Sequence, residues 1–260
     1  MDPTPLLQAF FLLFIRFSSF FAAVPVLGAQ TVPVQYKIAL AAFLAGTTLA
    51  AAPVLVPQLG ATGPGLNYQY LGLIVSEIAL GLLLALVVTG FFTAFQLAGY
   101  LMGFQMGFTM ANVVDPVNQD QVSVLGQVLF FLALLAFLAI DGHHLLIRGM
   151  VDSVRLVPPG SLALSGPSVL MLVQLMQGIF WAGMQFSLPV VGTLFVVDVG
   201  LGVIARTVPQ MNVFMVGLPL KAGVGLLVMV LSFGATSAVM ELYMADALAD
   251  WMRLMPLLKG

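Results

Sequence analysis

The chain has 260 residues, of which 61% are apolar and 7% charged, with eight basic and ten acidic side chains and a net charge of -2. A soluble domain of this size carries about a quarter charged residues, so this composition excludes a water-soluble monomer. The charge balance and a sequence pI near 5.5 give no basic field for nucleic acid, and zero cysteines exclude disulfides, thiolate metal sites and thiol nucleophiles.

Uncharged or nearly uncharged runs recur at residues 5–28, 38–56, 71–101, 122–140, 169–197 and 212–240. Most are long enough to cross a hydrocarbon core of roughly 30 Å, which takes about 20 helical residues, and they predict about six helical elements. The first run is read as a retained membrane segment: Met1, Asp2 and Thr4 supply no positive leader region, and Arg16 sits within the apolar stretch. Turn-rich pieces separate the runs at 25–33, 53–65, 115–121 and 158–167. Gly90, Gly99, Gly103 and Gly107 punctuate the third run, while Pro189 and Pro219 are expected to break the fifth and sixth. With six crossings, Arg148, Arg155, Arg253 and Lys259 fall on the side of the termini against Lys37 and Arg206 on the other, which points to cytoplasmic termini. Burial of the runs in a hydrophobic oligomer would produce the same hydropathy.

Four charges lie inside or at the edge of the apolar runs: Arg16, Glu77, Asp198 and Lys221. Each would cost about 2.5 to 3.5 kcal/mol facing lipid at a helix centre. They are therefore expected to pair within the chain or with neighbouring subunits, the alternative being an ion or proton relay.

Catalytic patterns are thin. No nucleophile elbow, phosphate-binding loop or dinucleotide fingerprint occurs. His143 and His144 are adjacent, about 100° apart on a helix, and so poorly placed to chelate one metal; Asp141-Gly142-His143-His144 reads instead as a helix end with Gly142 in a left-handed cap. Residues 99–110 interleave glycine, aromatic and methionine side chains, which suits close backbone packing and a deformable apolar seal. Residues 111–121 are polar and cation-free, suited to a water-lined path or an exposed loop.

Several strings resemble one family. They are Gly103-Phe104-Gln105-Met106-Gly107-Phe108, Asp115-Pro116, Asp141-Gly142-His143-His144 and Ser153-Val154-Arg155-Leu156-Val157-Pro158. The most specific is Arg206-x-x-Pro209-Gln210-x-Asn212-x-Phe214, preceded by Asp198 and followed by Pro219-Leu220-Lys221. Arg16, Phe20-Phe21, Pro25, Pro33 and Lys37 also fit. Together they resemble the FliR export-gate subunits of bacterial flagellar type III secretion, with the injectisome relatives as the other branch, over nearly the whole chain.

The resemblance implies an all-α, membrane-associated fold of helical hairpins with interrupted helices, part of a helical export-gate assembly. It implies a single unit with a FliP-like part over about residues 1–165 and a FliQ-like part over 166–260. The expected partners are FliP-like and FliQ-like subunits, FlhB and FlhA, unfolded exported proteins and the membrane, at the flagellar basal body in the bacterial inner membrane. No enzyme activity, cofactor or metal is expected, export energy being supplied by other subunits, and no fused FlhB-like cytoplasmic domain is expected either. Family likeness places a pore plug at about residues 104–121, beside a methionine ring from FliP. Its named members here are Phe104, Gln105, Met106, Gly107, Phe108, Met110, Asp115 and Pro116. Arg16, Asp198, Arg206, Pro209, Asn212 and Lys221 are expected at subunit contacts or helix breaks. Two other classes stay open: a secondary transporter using Glu77, Asp198 and Lys221, and a membrane hydrolase using Asp141 and His143.

Overall fold

A computed structural model describes residues 4–25, 32–51, 68–108, 123–210 and 212–259. Among them are seven helices: α1 (Thr4–Ala23), α2 (Val34–Ala51), α3 (Tyr68–Met106), α4 (Val124–Ala139), α5 (Gly142–Leu156), α6 (Gly166–Thr207) and α7 (Val213–Leu257). The helices accord with the long unbroken apolar runs, which lack the alternation of a barrel strand and let backbone amides in apolar surroundings pair within their own segment. Five helices are long and apolar enough to cross a membrane, and α4 with α5, bent by 71°, adds a sixth candidate span.

Two expectations about interruptions are corrected. Pro189 lies inside the 42-residue α6 and Pro219 inside the 45-residue α7, and neither ends its helix. A proline forfeits one main-chain hydrogen bond, whereas a break in an apolar setting would strand several donors and acceptors, so continuation is the less costly state. The bend before α5 is also built differently: Asp141 adopts the left-handed conformation, with φ 57°, and Gly142 opens the next helix.

The helices contribute to two compact units. In the first, comprising 1–90, 138–175 and 246–260, α1 packs on α2 and the core gathers Leu12, Phe17, Phe20, Leu80, Leu84 and Trp251, all at most 1% exposed. The Trp251 indole rests where a side chain at Gly149 would sit and donates its N–H to the Leu84 carbonyl at 3.0 Å. α6 opens with a reciprocal cap: the Ser165 N–H donates to Ser168 Oγ at 2.9 Å while the Ser168 N–H donates to Ser165 Oγ at 3.4 Å.

The second unit comprises 91–137 and 176–245. Here α3 crosses α4 with Gly99 against the backbone of Leu125 and Gly126, an approach that leaves no room for a side chain. Phe91, Phe95, Phe186 and Tyr243 form a ring cluster joining α3, α6 and α7, with Phe95 and Phe186 stacked at 4.5 Å.

Candidate gate at the end of α3

The third helix stops where its sequence supplies a left-handed residue. Gly107 has φ 87°; its N–H donates to the Phe104 carbonyl at 3.0 Å, and the Phe108 N–H donates to the Gly103 carbonyl at 3.0 Å. This pair of bonds is a Schellman termination, which glycine adopts without steric cost. The last turn divides its side chains. Met102 and Met106 are buried, whereas Phe104 and Phe108 are exposed.

The buried half docks on α6 and α7. Met106 fills the space beside Gly225, where a Cβ would meet its Cγ at 2.8 Å, and Leu218 closes over Gly107. Gln105 donates from Nε2 to Asp198 Oδ2 at 2.8 Å. The same carboxylate receives Lys221, whose Nζ lies 2.9 Å from Oδ1 and 3.0 Å from Oδ2. Two of the four charges in or at the edge of the apolar runs therefore neutralise each other across α6 and α7, with one neutral amide from α3 added to the pair. Of the other members expected in a plug, Met110, Asp115 and Pro116 lie outside the described residues.

The remaining two charges pair in the first unit. Arg16, on α1, is completely buried and contacts Glu77 of α3 through Nε at 2.5 Å. Its Nη1 donates to the carbonyls of Ser153 and Val157 at 3.1 and 2.9 Å, and Glu77 Oε1 accepts the Gly160 N–H at 3.0 Å. Both pairs fulfil the within-chain alternative, and neither leaves the charge that a helix centre in lipid could not hold.

Arg206, Pro209 and Asn212 are exposed around the turn between α6 and α7. Asn212 caps α7, its Oδ1 accepting the Met215 N–H at 3.3 Å. At the α4–α5 bend, the rings of His143 and His144 approach to 4.1 Å, and the ligand-type atoms of Asp141, His143 and His144 fall within 4.8 Å of one another. This corrects the inference from the 100° angle, because side-chain rotation from adjacent positions brings the rings together. His144 Nδ1 and Asp141 Oδ1, 3.2 Å apart, satisfy each other, with both side chains mostly exposed. Sequence reasoning passed over Ser153, Val157 and Gly160 as partners of the Arg16 pair, Gly225 as the seat of Met106, and the link from Gln105 to Asp198. None has a local signature, since each depends on contacts between distant segments.

Comparison with known proteins gives the class. Residues 7–247 match the family described as bacterial export proteins, family 1. The flagellar biosynthetic protein FliR of Bacillus subtilis is 34% identical over 245 residues, covering 91% of this chain and 90% of the relative. FliR of Escherichia coli K12 is 30% identical over 223 residues, covering 86% and 83%. The secretion system apparatus protein SsaT of Salmonella typhimurium is 25% identical over 184 residues, covering 70% of each. With this coverage across an all-helical, apolar fold, the chain belongs to the FliR family of bacterial export proteins. It is a membrane-type component of a flagellar or type III export apparatus, and its relatives are apparatus proteins by name.

Proposed function

We propose that this chain joins FliP-like and FliQ-like subunits to form the pore through which unfolded flagellar proteins leave the cell, and that it supplies the plug sealing that pore at rest. It works at the basal body in the inner membrane, receiving substrate from FlhA and FlhB. Residues 1–165 take the FliP-like role and 166–260 the FliQ-like role; the start of α6 at Gly166 supports that division.

The observation carrying this reading is the length of apolar helix left uncovered. With 42 and 45 residues, α6 and α7 reach about 63 and 68 Å at about 1.5 Å per residue, twice a hydrocarbon core of roughly 30 Å. Exposed large apolar side chains run along α6 from Val169 to Val203, about 51 Å by the same rise. Lipid alone cannot cover such a stripe, whereas neighbouring helical subunits can. The plug reading draws on the termination at Gly107, which turns Phe104 and Phe108 outward beside a buried methionine; apolar side chains in a narrow path exclude ions by dewetting.

Recovery of the chain from mild detergent tests the assembly, with FliP-like and FliQ-like polypeptides expected alongside it. A self-sufficient monomer with its own solute flux would replace the reading with a transporter. Deleting residues 104–121 is expected to let the assembled complex pass ions across a planar bilayer without preventing assembly. Unaltered conductance in an intact complex would remove the plug from this segment.

A further inference from the structure

We infer that Asp198 and Lys221 form an anchor that positions the end of α3, acting through Gln105 to hold Phe104 and Phe108 in the closed arrangement; this rests on the plug reading above. The ion pair is complete without Gln105, because Lys221 spans both carboxylate oxygens at 2.9 and 3.0 Å. The amide adds no charge compensation. What it adds is attachment, a 2.8 Å bond from the penultimate residue of α3 to a carboxylate fixed between two other helices. Hydrogen bonds to an ionised acceptor are about twice as strong as neutral ones.

The surroundings support a positioning role. Lys221 is 18% exposed and Asp198 38% exposed, so the node lies at the edge of the packed interior. Immediately beyond Gln105, Met106 is seated at Gly225 and Gly107 beneath Leu218, so three successive residues touch α6 or α7. Phe104 and Phe108, 60% and 42% exposed, flank this docked stretch and take their positions from it. Freeing Gln105 removes the directional contact and leaves apolar packing, which tolerates sliding and rotation. Asp198 and Lys221 are thereby positioning residues for the seal.

The decisive variant is Gln105→Leu, which keeps side-chain bulk and leaves the ion pair intact. In complexes co-purified with their partner subunits, resting potassium current across a planar bilayer is expected to rise about tenfold, the scale of one hydrogen bond to a charged group. The exchange Asp198→Lys with Lys221→Asp preserves opposite charges and an acceptor or donor for the Gln105 amide, and is expected to keep the current low. Asp198→Asn with Lys221 unchanged is expected to leak. A Phe104→Ala/Phe108→Ala complex run in parallel separates the two levels of inference. If it leaks while Gln105→Leu stays closed, the anchor is overturned and the plug stands. If neither leaks, the plug reading fails and takes the anchor with it. Should Asp198→Asn not assemble, Gln105→Leu decides alone.

Discussion

At Arg16 a guanidinium is held in an apolar interior by one carboxylate and two main-chain carbonyls, and the arrangement ties α1 to α3 and to the end of α5. Taking two ions out of water is costly, so such a pair lends specificity of packing more readily than net stability. The Ser153 carbonyl, in the last turn of α5, also accepts the Val157 N–H at 2.8 Å, whereas the Val157 carbonyl sits at the C-cap just past the helix. Arg16 thus serves as a C-terminal cap delivered from another helix. Replacing it by Met leaves the buried Glu77 carboxyl with the Gly160 amide but without its cationic partner, a loss on the order of 3–5 kcal/mol. Pairing Arg16→Met with Glu77→Leu is expected to recover most of that loss. Thermal melting of the detergent-solubilised complex checks both; equal losses in the single and double variants would show that the pair is not the unit of stabilisation.

At the scale of elements, the positions of the helices are legible in the apolar runs, while their ends are not. An internal proline lacks a donor and crowds the preceding turn, which predicts breaks at Pro189 and Pro219, yet the helices pass through both. In apolar surroundings a gap in the helix strands more polar groups than one missing N–H. The same weighing explains the α4–α5 corner, where Asp and Gly both tolerate positive φ and sequence gives no reason to choose Asp141 over Gly142. Charge content foretold that the buried ions would find partners, without saying which. Asp198 meets Lys221 23 positions away and Gln105 93 positions away, and only the folded arrangement selects them. The glycine spacing around 99–107 signalled close packing, which the Gly99–Gly126 crossing realises. Pro189→Ala is expected to restore the missing bond toward the Gln185 carbonyl and stabilise the complex by about 1–3 kcal/mol, with conductance unchanged. A lower melting temperature would mean that the proline sets a curvature the assembly requires.

At the largest scale, α6 and α7, with 42 and 45 residues, outrun a hydrocarbon core of roughly 30 Å. Trp181, Leu188 and Phe195 recur every seven residues on α6 and are each more than 60% exposed, so one face presents bulky apolar side chains in a continuous line. On α7, Phe214, Met215, Val230, Leu231 and Leu242 are equally open. Where these faces meet lipid, an acidic substitution is costly and threatens insertion itself; where they meet sister subunits, it unsettles packing at a specific joint. The two coverings separate by experiment. Leu188→Glu with Phe195→Glu is expected to leave the chain in the membrane fraction while FliP-like and FliQ-like polypeptides no longer accompany it in mild detergent. Retained partners, or loss of the chain from the membrane altogether, would assign this stripe of α6 to lipid and move the subunit interface to another face.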